Sequence, residues 1–132
     1  MIVVDSSAIV HALVATAVNP GLLAVLSDEE LCAPHLLDFE VASALRGHVL
    51  GRKLAPERGE EALADYSQMQ ILRYEGIGLF SQIWRCRDNF TVYDAAYVAL
   101  AIGLKTPLVT SDAKLREAER LDVEVRLFPQ AP

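Results

Sequence analysis

Five short runs of β-branched and aliphatic residues, "MIVVD", "ELCAP", "ILRYE", "PLVTSD" and "VEVRLF", alternate with stretches of helical periodicity. Each run is too short for a helix and is bounded by acids, hydroxyls or proline, which marks it as a buried strand. Parallel neighbours need a crossover of a dozen or more residues, and the intervening helices supply it. The pattern therefore predicts an α/β fold: a three-layer α/β/α arrangement with a central parallel sheet. The expected helices begin with "SSAIVHALVA", capped by serine, and "PGLLAVLSDE". There follow "PHLLDFEVASALRGHVLGRK", opened by Pro34, the amphipathic "APERGEEALADYSQMQ", and "GLFSQIWRCRD". "TVYDAAYVALAIG", capped by Thr91 and closed by Gly103, and "AKLREAERL" complete the set. "VEVRLF" is expected at the sheet edge. No linker or repeat interrupts residues 1–132, so a single domain is expected.

Such a sheet has a functional edge. Chains leave parallel strands at their carboxyl ends, and ligands bind in the crevice there. Asp5 and Asp112 each end a strand. Crossover helices run antiparallel to the strands, so their first turns lie at the same edge. Glu40 is in the second turn of one such helix, and Asp94 in the first turn of another. Four acids from distant parts of the chain thus converge. Two of them sit awkwardly for stability. Glu40 shares its helix face with Leu36, Leu37 and Ala44, and Asp94 belongs to a helix with almost no polar side. An ionised carboxylate is costly to bury without a partner.

Each acid also has a purely structural use. Asp5 and Asp112 suit helix caps, Glu40 can reach Arg46, and Asp94 favours the positive end of a helix dipole. Their common location favours a site. Close carboxylates repel and resist ionisation unless a cation joins them. Mg²⁺ prefers oxygen ligands and commonly takes one or two carboxylates together with substrate phosphate. That chemistry suits metal-dependent phosphodiester hydrolysis. The net charge of −6 argues against simple electrostatic binding of nucleic acid, but not against an enzyme whose acids hold metal. Cys32 and Cys86 offer no disulfide framework or zinc spacing and are expected to be reduced and partly buried. No apolar run approaches the roughly 20 residues of a membrane span. The N-terminus lacks the basic start of a secretory signal, so a cytoplasmic protein is expected.

"VVDSSAIV", "EVASAL" headed by Glu40, "TVYDAAYVALA" and "LVTSDAKL" together resemble the successive acidic motifs of the PIN domain. More narrowly, they are similar to VapC-type toxins, the ribonuclease halves of toxin–antitoxin pairs. The resemblance spans nearly the whole chain. It implies an Mg²⁺-dependent endoribonuclease, with Mn²⁺ able to substitute, neutralised by a cognate antitoxin and often dimeric. It places Asp5 and Asp94 as principal metal ligands and Glu40 as a further ligand or orienter of water. Asp112 becomes a fourth acid acting directly or through water. It also gives the hydroxyls of Ser7 and Ser111 the task of orienting carboxylates.

Arg46, Arg52, Lys53, Arg85 and Arg87 are candidates for the RNA backbone. Tyr93 and Tyr97 flank Asp94 and suit either stacking or packing, and His11 suits packing better than the crevice. "SSAIVHALVA" and "LLAVLS" are apolar enough to form a groove for an antitoxin segment. A phosphoryl-accepting receiver is disfavoured, because "VVDSSA" supplies only one acid after the first strand. A DxDxT phosphatase is disfavoured by Ser7 at the second acid position. The remaining alternative is a non-catalytic PIN-fold module that binds RNA or protein.

Overall fold

All five expected strands join one parallel sheet in a computed structural model that describes residues 1–130. They are β1 (Ile2–Val4), β2 (Leu31–Pro34), β3 (Ile71–Tyr74), β4 (Leu108–Thr110) and β5 (Val125–Leu127), in the order β3-β2-β1-β4-β5. Every pairing is parallel, so β5 is an edge strand as expected. The chain builds outward from β1 to β3, then crosses back to add β4 on the other side of β1. That reversal between β1 and β4 is the switch point at which such sheets open a crevice.

The helices are α1 (Ser6–Val14), α2 (Pro20–Asp28), α3 (Leu36–Leu50), α4 (Pro56–Gln68), α5 (Phe80–Arg85) and α6 (Val92–Leu104). α1 packs on α2, α3 and α4, while α5, α6 and residues 113–121 pack together. Right-handed crossovers place these two groups on opposite faces of the sheet. The core is centred on β1 and β4, whose residues are fully buried, and on α6, buried continuously from Ala95 to Ala101. Alanines at 95, 96, 99 and 101 let that helix lie close to the sheet while Tyr97, Val98 and Leu100 fill the space around it.

Local chemistry shifts several boundaries. Asp5, not a serine, caps α1: its carboxylate accepts from the Ala8 N–H. Pro34 ends β2 and does not open α3. β1 pairs with β2 only as far as Cys32, so the N–H that Pro34 lacks has no partner to lose on that side. α6 continues through Gly103, because Ile102 and Leu104 pack against the core. It ends at Lys105, which adopts the left-handed conformation (φ 54°, ψ 46°). Residues 113–121 form a 3₁₀ helix, with Leu115 and Ala118 buried at the three-residue spacing that geometry brings into line. Among the described residues no helix is long and apolar enough to cross a membrane. Cys32 and Cys86 are free and buried.

Candidate metal centre

Asp5 follows β1 directly and is only 4% exposed. Ser7 Oγ donates to its carboxylate at 2.8 Å, Thr110 Oγ1 at 2.6 Å and the Ala8 N–H at 3.0 Å. Burial nevertheless pushes its carboxyl up to about 6, and the charge of Asp112 adds to the rise against those hydrogen bonds. Desolvation outweighs several good donors here, so ionised Asp5 is under-compensated within the chain.

Asp112 lies across the switch point, just past β4. Its N–H donates to Thr110 Oγ1 (2.9 Å), and its carboxylate caps the 3₁₀ helix by accepting from the Lys114 N–H (3.0 Å). Lys114 Nζ is 3.9 Å away on a largely exposed side chain, a weak compensation. Asp94 is half-buried in the first turn of α6. Thr91 caps that helix as expected, accepting from the Asp94 N–H at 3.1 Å. Burial raises the Asp94 carboxyl, Asp112 raises it further, and Lys114 opposes. Asp5, Asp94 and Asp112 therefore share one electrostatic environment.

Glu40, in the second turn of α3, accepts from Tyr97 Oη at 2.5 Å. Tyr97 is 1% exposed, and burial, followed by the neighbouring Glu40 and Asp5, holds its phenol protonated well above the ordinary range. It joins α6 to α3 across the edge. Among the described residues, no three histidine, cysteine or acidic side chains stand close enough around one point to enclose an ion. The four acids share an edge without forming a closed cage.

Asp38, two residues before Glu40, provides a comparison. Arg73 Nε pairs with it at 2.9 Å and Tyr66 Oη donates at 2.6 Å. Burial opposes ionisation, but Tyr66 and Arg73 hold its carboxyl below the usual range. Among the described residues, no lysine or arginine forms an ion pair with Asp5, Glu40 or Asp94. An all-oxygen, anionic donor set that lacks a cationic partner fits a hard divalent ion.

Ser7 supports Asp5 as the sequence suggested. The Ser111 hydroxyl instead meets His11, and the carboxylate-orienting task falls to Thr110. Thr110 and the bond from Tyr97 to Glu40 were missed by sequence reasoning. Strand register exposes the first: Val3 pairs with Leu108 and Val4 with Val109, so Thr110 is next in line with Asp5. That signal requires knowing that β1 and β4 are neighbours. Arg46, Arg52, Lys53, Arg85 and Arg87 are all exposed. A cleft of about 810 Å³, lined by Met1, Glu29, Met69 and Gln70 among others, lies at the amino edge, away from the acids.

A family profile described as PIN domain matches residues 2–121. Ribonuclease VapC9 of Mycobacterium tuberculosis is 38% identical over 130 residues, covering 98% of this chain and 100% of that protein. The crystal structure of VapC20 of the same organism, described as a sarcin-ricin loop cleaving toxin, superposes with a TM-score of 0.66. It is 15% identical and covers 89% of this chain and 95% of its own. VapBC2 of Rickettsia felis, solved bound to a DNA fragment from its promoter, gives a TM-score of 0.64 at 12% identity, covering 96% and 98%.

Proposed function

This chain belongs to the PIN-domain family, with VapC ribonucleases among its relatives, and on that premise we propose that it is a divalent-cation-dependent endoribonuclease. It acts as the toxin half of a toxin–antitoxin pair. The observation that carries the proposal is the contrast between acids. Asp38 is compensated by Arg73 and Tyr66, whereas among the described residues no lysine or arginine pairs with Asp5, Glu40 or Asp94. Proteins seldom keep uncompensated carboxylates together without a functional reason.

In this proposal Asp5 and Asp94 hold Mg²⁺ or Mn²⁺, with Glu40 and Asp112 completing the acidic edge. When bound, the cation supplies Lewis acidity, activating water and neutralising charge that develops on the phosphodiester. The chain supplies orientation. Ser7 and Thr110 fix the Asp5 carboxylate from two sides. The Tyr97 phenol holds one Glu40 oxygen and leaves the other free to accept a proton from, or align, an attacking water.

The antitoxin is the proposed protein partner. A cleft of about 450 Å³ between α1 and the α3–α4 turn, lined by Val10, Val14, Lys53 and Leu54 among others, supports docking of an apolar segment there. An arginine from that partner would match the acids and compete with cation and substrate. The test is cleavage of total cellular RNA by antitoxin-free protein in Mg²⁺ or Mn²⁺. Discrete products that vanish with EDTA and in Asp94→Asn are expected. Cleavage indifferent to both would overturn the proposal, and metal binding without cleavage of the target-bearing RNA would favour a binding module.

A further inference from the structure

His11 is a buried histidine that the proposed chemistry leaves unused. It sits on α1, is 1% exposed, and both ring nitrogens are engaged. Nε2 lies 3.2 Å from the backbone nitrogen of Asn19, whose N–H donates to it. A nitrogen that accepts from an N–H must carry a lone pair, so the ring proton is on Nδ1. Nδ1 stands 3.1 Å from Ser111 Oγ and therefore donates to that hydroxyl. Ser111 Oγ then uses a lone pair for His11 and keeps its own hydrogen. Among the described residues it has no other side-chain partner, and it is only half-buried, immediately before Asp112. The Ser111 backbone is also fixed, its N–H donating to Ser7 Oγ at 3.0 Å.

We infer that His11 is a positioning residue that locks the Ser111 hydroxyl with its hydrogen directed into the acidic crevice, where it donates to a phosphate oxygen of the bound RNA. The inference rests on the ribonuclease proposal above. A donor at this point is useful because the surrounding carboxylates would otherwise repel the phosphate, and a hydroxyl fixed from behind needs no reorganisation when substrate arrives. The tether through Asn19, which also caps α2 by accepting from the Gly21 N–H, holds the imidazole plane.

Two substitutions at His11 separate positioning from packing. The amide nitrogen of His11→Asn falls near the Nδ1 position and can still donate to Ser111. That of His11→Gln reaches the Nε2 position and cannot. Each loses one hydrogen bond, so a merely structural role predicts similar melting temperatures and similar activity. Positioning predicts that Ser111→Ala and His11→Gln each lower kcat/KM about tenfold on a cleaved RNA oligonucleotide, the size of one hydrogen bond to a charged oxygen. His11→Asn should retain most of the activity, and the Ser111→Ala/His11→Gln double variant should be no worse than either single one. Wild-type kcat/KM in Ser111→Ala, equal impairment of the two His11 variants, or additive losses would overturn the inference. Nitrogen-15 NMR of the metal-free protein decides it independently of cleavage. The proton must reside on Nδ1, and Ser111→Ala must shift that resonance far more than Nε2. A proton on Nε2 would overturn the inference even in an active enzyme, whereas failure of wild type to cleave would count against the ribonuclease proposal.

Discussion

Asp5 and Asp38 carry the same carboxylate in opposite circumstances. Arg73 pairs with Asp38 and Tyr66 donates to it, while among the described residues Asp5 meets neutral donors and the repulsion of Asp112. The sign of the pH dependence follows. Asp5 has a folded-state carboxyl raised from 3.8 to about 6. Its favourable contribution to the metal-free fold is complete below the unfolded value and is lost as pH rises through about 6. The loss amounts to roughly 3 kcal/mol at most. Asp38 is lowered and acts in the opposite sense, but only below the ordinary carboxylate range. Metal-free protein should therefore melt higher at pH 5 than at pH 7, and Asp5→Asn should remove most of that difference; a melting temperature lower at pH 5 in wild type would contradict the assignment. The acids themselves were legible in the sequence because strand ends and helix starts fall on one edge of a parallel sheet. Their hydroxyl and phenol partners were not. Thr110 meets Asp5 only through the register of non-consecutive strands, and Tyr97, on a helix that reads as core, is indeed buried yet reaches Glu40 with its one polar atom.

At the level of elements, periodicity located strands and helices well because each buries one face or both, but it placed the ends less well. Gly103 reads as a helix terminator, yet packing of Ile102 and Leu104 carries α6 past it and leaves Lys105 in the left-handed cap. Pro34 reads as a helix opener, yet the early end of β1 pairing lets it stay in β2. Tertiary contacts decided both, and neither is visible in a local window. The α6 terminus is consequently not optimal. A Cβ at Gly103 meets nothing within 4 Å, so Gly103→Ala should stabilise by about 0.5–1 kcal/mol through reduced backbone entropy in the unfolded chain. Lys105→Gly should add about 1 kcal/mol by relieving the left-handed penalty. Urea denaturation of the single and double variants measures both, and a destabilised Lys105→Gly would show that the lysine side chain contributes more than its backbone conformation costs.

For the whole molecule, the fold leaves one edge of the sheet unfinished and one surface uncovered. Ile77, Phe80 and Trp84, spaced three and four residues apart, are 76%, 61% and 64% exposed, a stripe that supports contact with a second protein chain. If that chain is another copy, Trp84→Glu should convert a dimer to a monomer in sedimentation velocity without lowering the melting temperature of the monomer. An unchanged sedimentation coefficient for a dimeric wild type would place the interface elsewhere. The acidic edge makes the stronger demand, because Asp5 after β1, Glu40 of α3, Asp94 of α6 and Asp112 after β4 share it, and among the described residues the ion pair they make is the long one from Lys114 to Asp112. Calorimetric titration of the folded, metal-free protein with Mn²⁺ tests that claim most directly. Saturable binding is expected, weakened at least about tenfold by Asp5→Asn and by Asp94→Asn. Absence of binding at millimolar Mn²⁺, or equal affinity in wild type and Asp94→Asn, would contradict a divalent cation as the partner of these acids.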